Sequence, residues 1–403
     1  MQNIVITSKS TICALGHDAE SIWAGYKDDE TALTMCCYGG QDTPVGKLSP
    51  VSEEQIKDIR KSNLNYRRLD KSVLLSLWAS RKVVESAGWN DLSNVGVNIG
   101  SSRGATQLFE KYHRYFVESP DSRMTPLVSP TTTLGNIASW VAYDLGVTGA
   151  TLSHSITCST ALYGMLNACA WLKSGMADKF IVGGAEAPLT DFTVAQMRSL
   201  GVYSTATNKF EGDSVSWPSA PLLADKDVNT MVLGEGASVF ALEVDNGQPA
   251  LAKIAGLGYG TEIIEHNASL SAEAECMQKS MRMALENAGL DSVDVVIMHA
   301  PGTHQGDTSE LRAVKTVFGG NSGKNLPHLV STKHMTGHTL GASGGVSLDL
   351  ALEILQRGEV IHLPYETEFQ ERHGRQLGQA PQTVLVNAVG FGGNAVSVIV
   401  SKL

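Results

Sequence analysis

The chain has few cysteines, and none is spaced for a metal or a redox pair. Six occur in 403 residues, at positions 13, 36, 37, 158, 169 and 276, with no C-x-x-C among them. In a chain this long that pattern argues against a disulfide framework and for reduced thiols in a cytoplasm. No apolar run has the length that a bilayer-spanning helix needs. Met1-Gln-Asn-Ile-Val-Ile-Thr lacks the basic start and apolar stretch of a secretory signal. An excess of positive charge is missing too: the net charge is −10, which offers no global field for nucleic acid or an anionic membrane. Low-complexity tracts and linkers are also absent. The expectation is a cytoplasmic protein with no membrane or nucleic-acid partner.

Apolar residues make up 42% and charged residues 18%, ordinary values for an enzyme. The length suffices for two domains or one large duplicated one. The most informative residue is Cys158, in Ser155-Ile-Thr-Cys-Ser-Thr-Ala-Leu-Tyr-Gly, where a short β-type run meets a long helical pattern. Unpaired N–H groups and the dipole at a helix start favour an anion. Thiolates so placed have pKa values lowered to about 3.5–7.5, so a nucleophile is one reading of the position and a small buried hydrophobe the other.

Two histidine motifs follow. His299-Ala-Pro-Gly-Thr-His-Gln-Gly-Asp-Thr-Ser-Glu310 comes after an apolar run, Val293 to Met298, that predicts a buried strand. Ser331-Thr-Lys-His-Met-Thr-Gly-His338-Thr-Leu-Gly-Ala-Ser-Gly-Gly also follows a strand-like stretch and precedes a helix, Val346 to Leu355. Asn387-Ala-Val-Gly-Phe-Gly-Gly-Asn394 precedes the last strand, Val396 to Val400; its glycines let backbone N–H groups face a ligand. Neither His299 nor His338 has the spacing of a metal ligand set.

The two halves of the chain echo one another. Gly234-Glu-Gly-Ala-Ser-Val-Phe-Ala-Leu-Glu and Gly392-Gly-Asn-Ala-Val-Ser-Val-Ile-Val-Ser are both glycine turns running into strands. The helix after Cys158 leads to a strand at Lys179, and the helix after His338 is expected to lead to one at Glu359-Val-Ile-His-Leu. Turn formers cluster at Asp245-Asn-Gly-Gln-Pro249. We therefore expect two similar α/β halves, residues 1–245 with the cysteine and residues 246–403 with both histidines. Residues 36–66 and 103–135 are less patterned and are expected to hold loops, helical insertions and dimer contacts.

Taken together these motifs resemble the β-ketoacyl-acyl carrier protein synthases, specifically the elongating Cys-His-His class of the thiolase superfamily. The Ser-Thr-Lys-x-Met-Thr-Gly-His-x-Leu-Gly-Ala segment is the most specific. Gly175-Met-Ala-Asp-Lys-Phe-Ile-Val-Gly-Gly-Ala-Glu186 and Gly234-Glu-Gly-Ala237 also look like the family. The resemblance implies a duplicated thiolase-like five-layer αβαβα fold, with helices packed between two mixed sheets. It also implies decarboxylative condensation of an enzyme-bound acyl thioester with malonyl-acyl carrier protein, without a metal or resident cofactor, the substrates arriving on a phosphopantetheine arm.

By the same resemblance Cys158 is the nucleophile, His299 and His338 hold the enolate, and Lys333 with Glu310 balances charge and orients the imidazoles. The N–H groups of Cys158 and Phe391 form the oxyanion hole. Phe391 is either a gate or simple packing. An acyl carrier protein would dock on the basic cluster around Arg67 and Arg68, for which a solvated helix face is the other reading. A two-fold dimer is implied through the strand Ala150–Thr157. A homodimer is expected, and a heterodimer with a related subunit stays open. His304, His334, His154 and the Cys36-Cys37 pair are given no role.

The chain departs from the family in several places. Ala220-Pro-Leu-Leu-Ala-Asp-Lys-Asp-Val-Asn-Thr-Met-Val-Leu replaces the usual Arg-Pro-Phe-Asp and Arg-Asp-Gly-Phe segments. Thr7-Ser-Lys-Ser stands for Thr-Gly-x-Gly, and the Gly-Phe-Gly-Gly turn is one residue short. That favours a specialised type II polyketide or aryl-polyene pathway over housekeeping fatty-acid elongation. A non-catalytic chain-length-factor subunit is opposed by Cys158 itself. A thiolase is opposed by the lack of any cysteine after Cys276.

Overall fold

The computed structural model describes residues 3–206, 217–263, 270–319, 326–369 and 378–403. Ten strands carry the architecture: β1 (Ile4–Ile12), β2 (Val95–Gly100), β3 (Thr151–Leu152), β4 (Lys179–Glu186), β5 (Gly236–Val244), β6 (Ala252–Thr261), β7 (Val295–Ile297), β8 (His328–Val330), β9 (Thr383–Gly390) and β10 (Asn394–Ser401). They hydrogen-bond in the order β8-β7-β9-β10-β6-β1-β5-β4-β2-β3. Counted outward from the middle, each group of five runs first, fifth, fourth, second, third. The senses repeat as well, antiparallel near the middle and parallel at the outer edge. Among the described residues the two five-stranded halves of this sheet pair where Val5 faces Lys253 and Ile6 faces Ala252. The duplication is thus one of topology.

Five helices build the layers: α1 (Lys71–Ala87), α2 (Thr160–Ser174), α3 (Glu275–Ala288), α4 (His304–Phe318) and α5 (Ser343–Arg357). α2 and α5 touch each other and strands of both halves, so they form the middle layer. α1 covers the outer face of β1, β4 and β5, and α3 that of β6 and β10. The sequence shows why. In α3 the buried residues Cys276, Met277, Ser280, Met281, Ala284 and Leu285 make a single stripe, as an outer helix requires. In α5 every residue from Ser343 to Leu355 is buried, as a helix between two sheets requires. The strands under them are buried along most of their length, such as β4 from Phe180 to Glu186.

Two expected strands differ. Glu359–Leu363 is irregular, because both sides of β7 are already taken by β8 and β9. Its Ile361 and Leu363 still pack in the core, and the Ile361 carbonyl lies 2.7 Å from His328 Nε2. The fourth strand of the second half is instead β9. Of Ala150–Thr157 only Thr151–Leu152 forms a regular strand, parallel to Val97 and Asn98 of β2, although the Ala150 and His154 carbonyls also accept the Val97 and Ser101 N–H groups at 2.8 and 3.3 Å. The chain then turns to reach Cys158. The less patterned regions hold a hairpin (Thr34–Tyr38 and Gln41–Val45) and helices at Pro50–Ser62, Thr106–Glu118 and Val128–Thr132.

Candidate active site

Three turns deliver the three side chains, and each carries a non-glycine residue with left-handed backbone. Thr157 (φ 46°) precedes Cys158, Ala300 (φ 23°) follows His299, and Leu340 (φ 42°) lies two residues past His338. Each such residue costs about 1–3 kcal/mol and persists only where the surroundings enforce it. One enforcer is visible at Gly390, where an added Cβ would lie 1.7 Å from Thr157 Oγ1. The β9–β10 turn therefore presses on the cysteine turn, and Thr157 Oγ1 donates to the Phe391 carbonyl at 3.4 Å. At the head of α5 an added Cβ at Gly344 would lie 2.7 Å from Leu162 Cγ. Glycine there lets the element after His338 seat against α2, the helix that follows Cys158.

The turns converge on a cavity of about 330 Å³ that Cys158, His299, His338 and Phe391 line together. The two imidazole rings lie 5.2 Å apart, edge to face at 78°. Cys158, His299 and His338 are all buried, whereas Phe391 is 43% exposed at the cavity wall.

Burial pushes both imidazoles well below the usual histidine range; the Lys333 charge adds to this at both, and His338 to it at His299. They are neutral at neutral pH. Neither Nδ1 has a hydrogen-bond partner. Burial also pushes the Cys158 thiol up to about 12, against the pull of Lys333 and of its own backbone N–H. The low pKa expected of a helix start is thus overridden: Cys158 lies two residues before α2, inside the apolar wall, and desolvation dominates. Alkylation of Cys158 by iodoacetamide should accordingly rise roughly tenfold per pH unit from neutrality upward, without a plateau below pH 9. Peptide mass mapping of the modified cysteine checks this; a plateau near pH 7 would reveal a preformed thiolate.

Lys333 and Glu310 do not form the direct ion pair expected of them. The Lys333 ammonium donates to the His299 carbonyl. Glu310 accepts the His299 N–H at 2.8 Å, the Ala300 N–H at 2.7 Å and Asn387 Nδ2 at 3.1 Å. Both thus grip the backbone at His299 from opposite sides, which holds the strained Ala300 turn. Burial lowers Lys333 to about 8 while Glu310 pulls it up, and burial raises Glu310 to about 7. Lys333 lies close enough to act electrostatically on Cys158 and both imidazoles.

Several residues of the site lay outside the sequence reading. Asp307, inside the same motif as Glu310, accepts the Gly302 N–H at 3.0 Å, the Leu222 N–H at 2.8 Å and Lys226 Nζ at 2.6 Å. Lys226 and Asp307 are a buried pair, so the divergent 220–231 segment straps the loop after His299. The same segment lines the cavity through Asn229 and Met231. Asn387, fixed by Ser397 Oγ at 2.7 Å, was signalled only as an amide inside an apolar strand. Glu186 was read as a family marker; it lies fully buried at the end of β4.

Arg67 and Arg68 are exposed, and no described acidic side chain pairs with them. Their neighbour Lys61 is paired with Glu54 at 3.3 Å, and Lys71 with Glu235 at 2.8 Å. His304 is exposed at the start of α4, and the buried His334 Nδ1 lies 2.9 Å from the Ser331 carbonyl. His154 Nε2 lies 3.1 Å from the Thr160 carbonyl. Among the described residues no three His, Cys, Asp or Glu side chains are grouped to hold a metal ion. No helix there is long and apolar enough to cross a membrane.

The model of the β-ketoacyl synthase N-terminal domain matches residues 1–246, and that of the C-terminal domain matches residues 251–364. The chain belongs to the β-ketoacyl synthase family. It is 28% identical over 362 residues to 3-oxoacyl-[acyl-carrier-protein] synthase 2 of Staphylococcus aureus strain COL, covering 86% of this chain and 83% of that protein. Among solved structures it is similar to the ishigamide ketosynthase/chain length factor, with TM-score 0.84, 20% identity and coverage of 100% and 99%. It is equally similar to a β-ketoacyl synthase from Burkholderia phymatum STM815, with TM-score 0.83, 24% identity and full coverage of both chains. These two likenesses establish the thiolase-like fold of this β-ketoacyl synthase.

Proposed function

We propose that this β-ketoacyl synthase condenses an acyl group, held as a thioester on Cys158, with a malonyl group carried on an acyl carrier protein. The observation that carries this reading is the joint placement of one buried thiol and two neutral imidazoles around a single cavity. First the Cys158 sulfur attacks the acyl thioester; the thiol proton leaves with the departing pantetheine thiol. Malonyl thioester then loses CO2 as its C–C bond breaks, and the electron pair passes to an enolate. Neutral His299 and His338 can donate to that oxygen without being acidic enough to quench the carbanion. The enolate attacks the Cys158 thioester, the new C–C bond forms as the C–S bond breaks, and the cysteine leaves as a thiolate that regains its proton from water. Cys158 and Phe391 N–H groups, tied by Thr157, serve the tetrahedral intermediates. Lys333 and Glu310 act by positioning His299, and Phe391 gates the cavity.

No cofactor enters this scheme, and the working place is the cytoplasm. The halves divide the labour, residues 1–245 bringing the nucleophile and residues 246–403 the decarboxylating pair. The divergent strap at Lys226 supports a specialised polyketide-type pathway over housekeeping elongation. Among the described residues the outer edge of β3 ends the sheet unpaired, with exposed Leu134 bonded beside it through its carbonyl to Ser153, and this supports a two-fold dimer formed there. Light scattering of the chain expressed alone tests this; a monomer that dimerises only with a co-expressed relative would mean a heterodimer.

The central test mixes the protein with acyl- and malonyl-loaded carrier and follows CO2 and β-ketoacyl-carrier by mass spectrometry. Absence of both with every carrier tried would sink the reading. In the same assay, reversing charge at Arg67 and Arg68 should raise the carrier KM and flatten its salt dependence, with kcat little changed, because rim charges act on encounter. An unchanged KM would place docking elsewhere.

A further inference from the structure

A buried carboxyl group is costly unless hydrogen bonds hold it, and Glu186 at the end of β4 is fully buried. One of its oxygens, Oε1, accepts two backbone N–H groups, that of Ser102 and, at 3.2 Å, that of Gly341. The two donors belong to different halves of the chain. Gly341 follows Leu340, the left-handed residue in the turn after His338. Ser102 lies in the turn after β2, and that turn is stitched to the stretch before Cys158. The Ser102 carbonyl accepts from Ser155 Oγ at 3.1 Å, and the Ser101 N–H donates to the His154 carbonyl at 3.3 Å. A Cβ added at Gly341 would lie 2.6 Å from the Ser102 nitrogen and 2.7 Å from Glu186 Oε1. The two turns therefore touch backbone to backbone, with one carboxyl oxygen as their shared acceptor.

Glu310 also accepts two N–H groups, but both come from the His299 turn. Glu310 thus fixes one imidazole, whereas Glu186 fixes a separation. Acyl transfer draws on the sulfur, and decarboxylation on the imidazoles. Only C–C bond formation needs the enolate within reach of the thioester carbon, and a misplacement of about 1 Å can cost such a step roughly 100-fold. We propose that Glu186 is a positioning residue that couples decarboxylation to condensation, by setting the distance between the Cys158 thioester and the enolate held at His338. The inference rests on the ketosynthase reading above and assigns a residue to its last step. Where that distance is wrong, malonyl thioester still loses CO2. The enolate then takes a proton from water, giving acetyl carrier and hydroxide, and the acyl group stays on Cys158. The acceptor oxygen matters here more than the charge. Burial raises Glu186 to about 7 against the pull of the Ser102 N–H, and a proton on its other oxygen leaves Oε1 an acceptor.

The test measures the ratio of β-ketoacyl carrier formed to CO2 released when acyl and malonyl carriers are supplied together. Glu186→Met removes the acceptor at similar side-chain length. Its ratio should fall roughly 10- to 100-fold below that of the wild type, with acetyl carrier making up the difference. Glu186→Asp keeps the charge but draws the oxygen back by one methylene, so its ratio should fall as well, by a smaller factor. Glu186→Gln keeps an oxygen in place and should restore most of the coupling, which a residue needed only for its charge would not do. A residue needed only for stability would lower product, CO2 and acyl-enzyme together and leave the ratio as it is. That result would overturn the inference, and so would a glutamine variant as uncoupled as the methionine one. If the methionine and aspartate variants do not fold, Ser155→Ala, at an exposed position, cuts the same chain of contacts at Ser102. Its ratio should fall a few-fold, and an unchanged ratio would refute the coupling. No CO2 and no acyl-enzyme from the wild type would instead overturn the ketosynthase reading, and the inference with it.

Discussion

Cys158→Ala is expected to give a folded protein that forms no acyl-enzyme and no β-ketoacyl product. The sulfur is the one group in the cavity that can hold the acyl chain covalently, so the loss should be roughly 10⁴-fold or more, as for nucleophiles in other acyl-transfer enzymes. The fold should survive. The side chain is small and contributes one sulfur to an apolar wall of Val45, Leu189, Met197 and Leu340, so its removal should cost on the order of 1 kcal/mol. Intact mass after incubation with acyl carrier reads the adduct, and a thermal melt reads the fold. Acylation persisting in the variant, on Cys36 or Cys37 for example, would reassign the nucleophile.

His338→Ala should separate the two half-reactions. The enolate loses one of two preorganised donors, so CO2 release from malonyl carrier should fall by roughly 10²–10³-fold, the usual effect of one oxyanion donor. Acyl transfer to Cys158 should be retained, because that step draws on the sulfur and on backbone N–H groups. His299→Ala should behave in the same way. Its loss also frees a site that Lys333 and Glu310 hold only through the backbone, so the local fold should stay intact. Measuring CO2 and acyl-enzyme separately decides the matter. Equal loss of both would mean that an imidazole removes the thiol proton, a role that the burial-raised thiol of Cys158 leaves open to it.

Much of the site could be read from the chain because its groups lie in short motifs at the ends of apolar runs. Cys158 before a helical pattern, and His299 and His338 after strand-like stretches, are local signals. The same holds for the duplication, seen as two glycine turns leading into strands. Glu359–Leu363 failed as a strand because strand pairing depends on a vacant neighbour. β7 already has two, and no local pattern records that. Of Ala150–Thr157 only Thr151–Leu152 is a regular strand within the chain, because its far end turns to place a sulfur, which Thr157 does at positive φ.

By itself, then, the sequence determined the family and the two-fold repeat of the architecture, and it singled out the thiol and the two imidazoles that the structure gathers around one cavity. These are carried by residues close together in the chain, where side-chain type and spacing suffice. Tertiary structure decided the charge states and the partners. Cys158 is protonated because the apolar wall around it comes from Val45, Leu189, Met197 and Leu340, far away in the chain. Lys333 found the His299 carbonyl rather than Glu310 because the carboxylate had already been claimed by backbone N–H groups and by Asn387. Lys226 found Asp307 across 81 positions of sequence. Desolvation and competition for hydrogen-bond partners are properties of a packed neighbourhood, and a neighbourhood exists only once distant segments have met.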